Sequence, residues 1–160
     1  ADRAARYEIR IVAGAGNVSA RVAAKGPAAK PAQVFDDAAG DGIKFSGEWK
    51  HETNLLLTHD HTLSASNQKG ASAELSFRGR TVLVFSKLGA NCGKVAVSID
   101  GAAPEVVDTY SADDIWGVCV FRKQLATAGA HTLRLEVLGE HNARAKDHVV
   151  HLDGVRVETD

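Results

Sequence analysis

GKVAVSIDG, running from Gly93 to Gly101, is the stretch that decides the fold class of this chain. Val95, Val97 and Ile99 alternate with small or polar residues, which is the period-2 pattern of a strand with one buried face. Asp100 and the glycine after it form the dipeptide preferred in tight hairpin turns, where both turn positions need positive φ. Because PEVVDTY resumes as a strand soon afterwards, the stretch predicts a β-hairpin and gives Asp100 a structural role.

The same alternation recurs along the chain from residue 42 onward. The segments IKFSGEWKHE, ASAELSFRG, HTLRLEVLG and HVVHLDGVRVET alternate between apolar and polar residues. TVLVFSK is a continuous apolar run, as in a strand buried on both faces, and WGVCVFRK completes the series. About eight strands separated by turn signals, without a clear amphipathic helix, predict an all-β fold: an antiparallel β-sandwich of the jelly-roll type.

The beginning of the chain follows a different pattern. YEIRIV reads as a strand, but a stretch rich in alanine, glycine and proline follows it and contains a second short strand at best. We therefore expect residues 1–40 to be N-terminal edge strands or a linker remnant, and residues 41–160 to form the β-jelly-roll module. A chain of 160 residues suits one compact domain overall.

Composition narrows the class of protein. Hydrophobic residues make up 44% of the chain, charged residues make up 24%, and the formal net charge is -1. A nucleic-acid binder usually carries a basic excess, and a membrane-spanning helix needs an apolar run of roughly 18 residues. Neither feature is present, so we expect no nucleic-acid partner and no membrane insertion.

Two short features could carry metal or redox chemistry. Cys92 and Cys119 form either one disulfide of a secreted protein or two buried thiols, because the sequence does not fix the distance between them. His59 and His61, in HDH, place two imidazoles on one side of an extended segment, an arrangement that can bind a transition metal. No third ligand is spaced to join them locally, so a polar or ligand-facing loop is the expected role.

Signals for catalysis are weak. No GxSxG elbow accompanies the seven histidines, and the acidic residues fall mostly at predicted turns. A pair of carboxylates for glycoside hydrolysis stays open as an alternative. Of the two tryptophans, Trp49 ends an alternating segment and is expected in the core. Trp116 lies at a loop–strand junction, where it either packs inward or presents a face to a sugar ring.

The order of these motifs resembles the galactose-binding-domain-like β-jelly rolls of bacterial extracellular proteins, which are modules of the carbohydrate-binding type. The matching elements are the GK-x-x-V-x-I-D-G hairpin, the D-T-Y-S after the returning strand, the A-G-A-H-T-L segment, the G-E-H-N loop and the closing L-D-G strand. The resemblance covers residues 41 to 158. It implies two antiparallel sheets, a sugar site on loops at one end or on the concave sheet, and often a structural calcium ion. For calcium, the ligands that it implies are Asp36, Asp37 and Asp153, since a hard cation prefers oxygen ligands.

The leading hypothesis is a non-catalytic carbohydrate-binding module of a secreted or surface bacterial protein, which directs an attached glycoside hydrolase or esterase to a polysaccharide or glycan. Loops of a jelly roll that emerge at the same end can converge, and a third segment can join them. The expected ligand-binding residues are Tyr110, Asp113, Trp116, His141, Asn142, Arg144, His59, His61 and Asn67. Arg144 and Lys146 can pair with a carboxylate or sulfate, so the expected glycans include acidic ones.

Two alternatives remain at this point. One is a small β-sandwich hydrolase or lyase that acts on polysaccharides. The other is a structural or adhesion domain that binds protein, which the aromatic content of 6%, low for a sugar-binding surface, keeps open.

Overall fold

A computed structural model describes residues 6–12, 18–25, 32–38 and 42–159. The chain divides into two units, Ala1–Pro31 and Ala32–Asp160. In the first unit, strands β1 (Arg6–Val12) and β2 (Val18–Lys25) form an antiparallel pair with a register shift near the end of β1. The remainder of the predicted N-terminal segment lies outside the described residues, apart from residues 32–38, which belong to the second unit.

The second unit is built from strands joined by turns and loops. Its strands are β3 (Ala32–Asp36), β4 (Ile43–Ser46), β5 (Lys50–Thr53), β6 (Thr62–Ser66), β7 (Ser72–Leu88), β8 (Gly93–Ile99), β9 (Glu105–Asp108), β10 (Ile115–His141), β11 (Val150–Leu152) and β12 (Gly154–Glu158). A short 3-10 turn, His59–His61, precedes β6. Among the described residues, no helix has the length and apolar character needed to cross a membrane.

The strands of the second unit form two antiparallel sheets. The larger sheet has the order β3-β12-β7-β10-β8-β9, and β4 pairs with the first part of β7. The smaller sheet has the order β11-β6-β5. Side chains from both sheets, including Leu75 of β7 and Leu152 of β11, form one buried cluster. The prediction of an all-β antiparallel sandwich is therefore confirmed.

Alternation along the strands decides which side chains enter this core. Val95, Val97 and Ile99 of β8 are buried, as the period-2 pattern predicts, and β10 buries Leu133 and Leu135 in the same way. Each buried aliphatic side chain of this size stabilises the fold by about 1.5–3 kcal/mol. The apolar alternation of these two neighbouring strands thus supplies much of the surface on which the smaller sheet packs.

Two strands are longer than the sequence predicts. β7 joins ASAELSFRG to TVLVFSK, and β10 joins WGVCVFRK to HTLRLEVLG. Register shifts in β10, including one between Gln124 and Gly129, allow the long strands to bend without ending. Gly79 lies in the middle of β7, where a Cβ atom would clash with Val157 and lie 2.8 Å from the carbonyl oxygen of Glu158. A glycine at this point lets β7 run past β12.

The Asp100 hairpin has the predicted form. Asp100 and Gly101 adopt φ values of 54° and 70°, as the tight turn requires. The Asp100 carboxylate also accepts a hydrogen bond from the backbone N–H of Thr132 on β10, at 2.8 Å. The second Asp-Gly pair, at Asp153, is not a hairpin turn, because there the chain passes from β11 in the smaller sheet to β12 in the larger one.

Candidate functional site

One end of the sandwich carries a tight turn and two loops. The turn, residues 89–93, joins β7 to β8 and includes Gly93, the first residue of β8. Loop A, residues 109–114, joins β9 to β10, and loop B, residues 142–149, joins β10 to β11. The sequence predicts that loops A and B converge, since both connect strands at the same end of the sandwich.

Backbone hydrogen bonds hold both loops on the turn. Ser111 of loop A donates its N–H to the carbonyl of Gly89 at 3.2 Å, and Lys146 of loop B donates to Ala90 at 2.7 Å. Both loops are therefore held by the same turn, which also carries the exposed Asn91.

Asn142 links loop B to the strand before loop A. Its Nδ2 donates to Asp108 Oδ2 at 2.8 Å, while its Oδ1 accepts the backbone N–H of Arg144 at 3.1 Å. Both ends of the predicted ligand-binding amide are thus engaged within the protein. Asn142 holds the two predicted loops together, and these bonds use one of its two N–H donors and one of the two lone pairs of its oxygen.

Trp116 is half-buried, and one of its faces is covered. The Lys87 ammonium lies 4.7 Å from the centroid of the indole ring and pairs with Asp114 at 2.8 Å. The Lys87 side chain is only 10% exposed, so this cation is held firmly over the ring. The face that carries Lys87 is not open to a sugar.

The other residues predicted in these loops lie at the surface. Tyr110 is half-buried and forms a bridge with Gly89, whereas Asp113, His141 and Arg144 are exposed. The His141 ring stacks on His148 with a centroid distance of 6.4 Å. The structure therefore brings the segments of loops A and B together, and Asp113, His141 and Arg144 are the exposed residues of this group.

A groove of about 640 Å³ lies beside the turn, along the smaller sheet. Residues of β5, β6 and β11 line it, together with residues of the β4–β5 connection, the end of loop B, the 89–93 turn and the loop after β6. They are Gly47, Glu48, Trp49, Lys50, Glu52, Ala65, Ser66, Asn67, Asn91, Val149 and His151. The pairing of Lys50 with Ala65, and of Ala65 with His151, places these three residues in one row across the sheet. Of the predicted ligand-binding residues, Asn67 belongs to this groove.

The groove combines a fixed aromatic ring with open polar groups. Trp49 is half-buried, packs against Phe45 with a centroid distance of 5.0 Å, and donates its Nε1–H to the carbonyl of Ser46 at 3.2 Å. The amides of Asn67 and Asn91 are exposed in the groove. Such a rigid ring with nearby amide donors and acceptors suits a polar ligand that also has an apolar face.

His151 and Cys92 make a buried pair next to the groove. Cys92 Sγ lies 3.6 Å from His151 Nδ1. Cys92 and Cys119 are both free thiols and do not form a disulfide, and of the two only Cys92 is buried. Burial raises the pKa of the Cys92 thiol to about 11. Burial, followed by the positive charge of Lys87, lowers the pKa of His151 to about 4. Both groups are neutral at pH 7, so the pair does not supply the thiolate that a cysteine nucleophile needs.

His59 and His61 are not part of the groove lining, and His59 lies beside the carboxylates predicted to bind calcium. The His59 backbone N–H donates to Asp153 Oδ1 at 2.8 Å. Thr62 Oγ lies 2.9 Å from Asp36 Oδ2 and 2.7 Å from an oxygen of Asp37. The structure therefore brings Asp36, Asp37 and Asp153 into one neighbourhood, as the resemblance implies.

The burial of these acids affects their protonation. The pKa of Asp37 is raised, first by burial and then by the charges of Asp36 and Asp153, although hydrogen bonds from Ser64 and Thr62 oppose the shift. Burial also raises the pKa of Asp153. Carboxylate oxygens suit calcium chemically. Both Asp37 oxygens, however, already take part in hydrogen bonds with the hydroxyls of Ser64 and Thr62.

Comparison with known proteins gives two curated relatives, both from Flavonifractor plautii. The chain is 29% identical over 133 residues to an A type blood alpha-D-galactosamine galactosaminidase, covering 82% of this chain and 12% of that protein. It is 28% identical over 134 residues to an A type blood N-acetyl-alpha-D-galactosamine deacetylase, covering 80% of this chain and 17% of that protein. The chain thus spans less than a fifth of either relative. No family model matches it.

Among solved structures, the CBM35 of Cellvibrio japonicus Abf62 has a similar fold. Its TM-score is 0.52 with 14% sequence identity, and the similarity covers 79% of this chain and 91% of that one. At this level of identity the similarity shows the fold alone, an antiparallel β-sandwich of the jelly-roll type.

Most of the groove was not predicted from the sequence. IKFSGEWKHE reads as one alternating strand with Trp49 in the core, but the structure divides it between β4 in the larger sheet and β5 in the smaller one. Gly47, with φ of 85°, lies between the two strands. The Ser-Gly pair at 46–47 is the signal that could have indicated this break. After the break, Trp49 packs on the edge of the core and also lines the groove.

Proposed function

We propose that this chain is a non-catalytic carbohydrate-binding module of an extracellular, glycan-active protein, and that the groove beside the 89–93 turn holds the sugar. The fold and the two curated relatives support the proposal. In those relatives the matching region is a small part of a much longer protein, which is the relation expected between a binding module and an attached catalytic domain.

The observation that carries the proposal is the composition of the groove wall. Sugars bind through contacts between their C–H faces and aromatic rings, together with a few oriented hydrogen bonds from a rigid scaffold. Trp49 offers the ring, and its contacts with Phe45 and Ser46 fix it in place. Asn67 and Asn91 offer donors and acceptors from two different loops. The open groove suits a chain end or a short stretch of glycan.

The relatives guide the choice of sugar. Both are named for action on galactosamine or its N-acetyl form in A type blood glycans. We therefore propose glycans with terminal galactosamine-type residues as the first class of ligand. Arg144 and Lys146 lie on loop B, outside the groove lining. The lining carries one lysine, Lys50, which pairs with Glu52, and a second glutamate, Glu48, so the charges of the groove do not favour acidic sugars.

A catalytic role for the groove is less well supported. The buried Cys92–His151 pair is neutral, and the thiol has a pKa of about 11. The two acidic side chains of the lining include Glu52, which pairs with Lys50 at 2.6 Å and has a lowered pKa, mainly through that hydrogen bond. A glycosidase needs one carboxyl group with a raised pKa to act as the acid.

The test is affinity electrophoresis and calorimetry with glycans that end in galactosamine or N-acetylgalactosamine, beside a turnover assay on the same glycans. Asn67→Ala and Asn91→Ala should each weaken binding roughly 10-fold, since one lost hydrogen bond to a ligand is worth about 1–1.5 kcal/mol. Gln124→Ala, which removes an exposed amide on β10, is the matched control and should bind as the parent does.

The result has clear alternatives. Binding without turnover supports the binding module, provided that both groove variants lose binding and the Gln124→Ala control keeps it. Turnover of the glycan would make the chain an enzyme. Equal binding by the parent and both groove variants would place the sugar on another surface.

A further inference from the structure

Asp36, His59 and Asp60 form a compact set of potential metal ligands. Each offers one ligand atom, and these atoms all lie within 4.8 Å of one another. Asp36 is 5% exposed and lies at the base of the set, whereas His59 and Asp60 are exposed. Asp36 thus supplies the third ligand that the HDH segment does not contain. It lies at the end of β3, 23 residues before His59.

Contacts around the 3-10 turn hold His59 and Asp60 near Asp36. The backbone N–H of His59 donates to Asp153 Oδ1 at 2.8 Å, which fixes the start of the turn against the crossing between the two sheets. The end of the turn is fixed by Leu55, which donates its N–H to the carbonyl of His61 at 3.1 Å. The position of the two ligand residues is therefore set by the fold, and a metal ion is not required to bring them together.

We propose that this chain binds a divalent transition metal ion through the His59 imidazole and the carboxylates of Asp36 and Asp60. One imidazole nitrogen with two carboxylate oxygens is a donor set suited to zinc and similar ions, which accept nitrogen readily. Calcium prefers six to eight oxygen ligands and gains little from an imidazole. The remaining positions around the ion face solvent, where water can complete the coordination.

The hydrogen bonds of two neighbouring acids, Asp37 and Asp153, favour the set of Asp36, His59 and Asp60 over a set made from acids alone. Asp37 is fully buried, and the Ser64 and Thr62 hydroxyls already bond to its two oxygens. One oxygen of Asp153 is taken by the His59 N–H. Both acids are thus partly engaged in hydrogen bonds within the protein.

A bound ion would connect β3 to the turn before β6. Since β3 belongs to the larger sheet and β6 to the smaller one, the ion would add a link between the sheets. An ion that binds the folded state stabilises it in proportion to the logarithm of its concentration over its dissociation constant. Thermal stability is therefore a readout that does not depend on glycan binding.

The experiment measures the melting temperature and binding isotherm of the whole chain with zinc, manganese and calcium chlorides, after treatment with a chelator. Zinc should raise the melting temperature of the parent. His59→Ala and Asp60→Asn should each weaken zinc binding at least 10-fold. His61→Ala, which removes the neighbouring exposed imidazole outside the set, is the matched control and should bind zinc as the parent does.

Circular dichroism of the metal-free variants shows whether the exposed substitutions leave the fold unchanged. Three outcomes would overturn the proposal: no stabilisation by zinc, equal zinc binding by the parent and His59→Ala, or equal loss of binding in His61→Ala. Stabilisation by calcium alone that persists in His59→Ala would also overturn it, and would instead support a site formed by the buried carboxylates.

Discussion

His131 Nδ1 lies 2.7 Å from Asp100 Oδ2, so the histidine of β10 is hydrogen-bonded to the first residue of the β8–β9 turn. The other ring nitrogen, Nε2, lies 3.2 Å from the carbonyl oxygen of Thr127. Both partners are acceptors at neutral pH, so both contacts are hydrogen bonds only when the imidazole carries two protons. The pKa of His131 is accordingly raised, chiefly by the bond to Asp100, and the pKa of Asp100 is lowered, chiefly by the bond to His131.

This pair predicts a pH dependence of stability. On the basic side, the contribution of the pair to the free energy of unfolding is fully present below the ordinary histidine pKa of about 6.5. It is lost as the pH rises through the raised pKa of His131. On the acid side, the contribution is present above the ordinary aspartate pKa of about 3.9 and is lost as the pH falls through the lowered pKa of Asp100. The free energy of unfolding in urea should therefore fall more between pH 5.5 and pH 8 in the parent than in His131→Gln.

A second histidine, His151, changes stability with pH in the opposite direction. The effect of the Asp100–His131 pair must therefore be measured as a difference between the parent and a variant. The buried His151 has a lowered pKa, so its contribution decreases as the pH falls below about 6.5. The difference between parent and His131→Gln isolates the Asp100–His131 pair. Asp100→Asn should remove the same pH dependence while keeping a residue that tolerates the turn. Equal pH slopes in the parent and both variants would contradict the assignment.

Gly93→Ala should damage the end of the sandwich that carries the groove. An added Cβ atom would lie 2.6 Å from the carbonyl carbon of His148 in loop B. Gly93 also donates its N–H to Val149 and accepts from Thr109, so a shift would disturb both loops. We expect a loss of about 1–3 kcal/mol in the free energy of unfolding, the usual cost of overpacking. Gly129→Ala, whose Cβ would meet atoms at an ordinary 3.7 Å, should cost much less in the same urea titration.

Thiol labelling should separate the two cysteines. Cys119 is exposed, whereas Cys92 is fully buried and has a thiol pKa of about 11. A disulfide-exchange reagent at pH 8 should react with one thiol in the native protein and with the second only after denaturation. Cys119→Ser should abolish the native reaction. Rapid labelling of both thiols in the folded parent would show that Cys92 is accessible.

Asn142→Ala should affect stability more than glycan binding. The substitution removes the bond to Asp108 and the contact with the backbone of Arg144, at a cost of about 1 kcal/mol. If the groove is the sugar site, glycan affinity should remain within about twofold of the parent, whereas Asn91→Ala should lose affinity. A large loss of glycan binding in a folded Asn142→Ala variant would indicate that the sugar binds at loops A and B.

The sequence predicted the fold well, because period-2 alternation and Asp-Gly turns are local signals. Ile99 is buried and Asp100 turns the chain for reasons contained within a few residues. The lengths of β7 and β10 were not predictable in this way. Bulges and the contact of Gly79 with Val157 join segments that look separate in the sequence, and these depend on pairing between distant strands.

The candidate site was predicted only in part, for a related reason. Convergence of loops A and B follows from the connectivity of a sandwich, and the meeting of Asp36 with Asp153 follows from the family resemblance. The groove depends on which sheet receives β5, and that choice places Trp49 and Asn91 on the same surface. Likewise, the tertiary fold brings Asp36 close to His59, and the sequence around either residue gives no indication that the other lies nearby.

The position of β12 has a consequence for how the chain folds. Residues 154–158 lie between β3 and β7 in the larger sheet, so the segment of this sheet that leaves the ribosome last occupies an interior place. Until it arrives, β3 lacks its partner strand in the sheet, and residues 81–85 of β7 are open on one side to pairing with other chains. Sheet closure must therefore follow synthesis of Glu158, and the many contacts between distant segments predict slow folding, with aggregation competing during that interval.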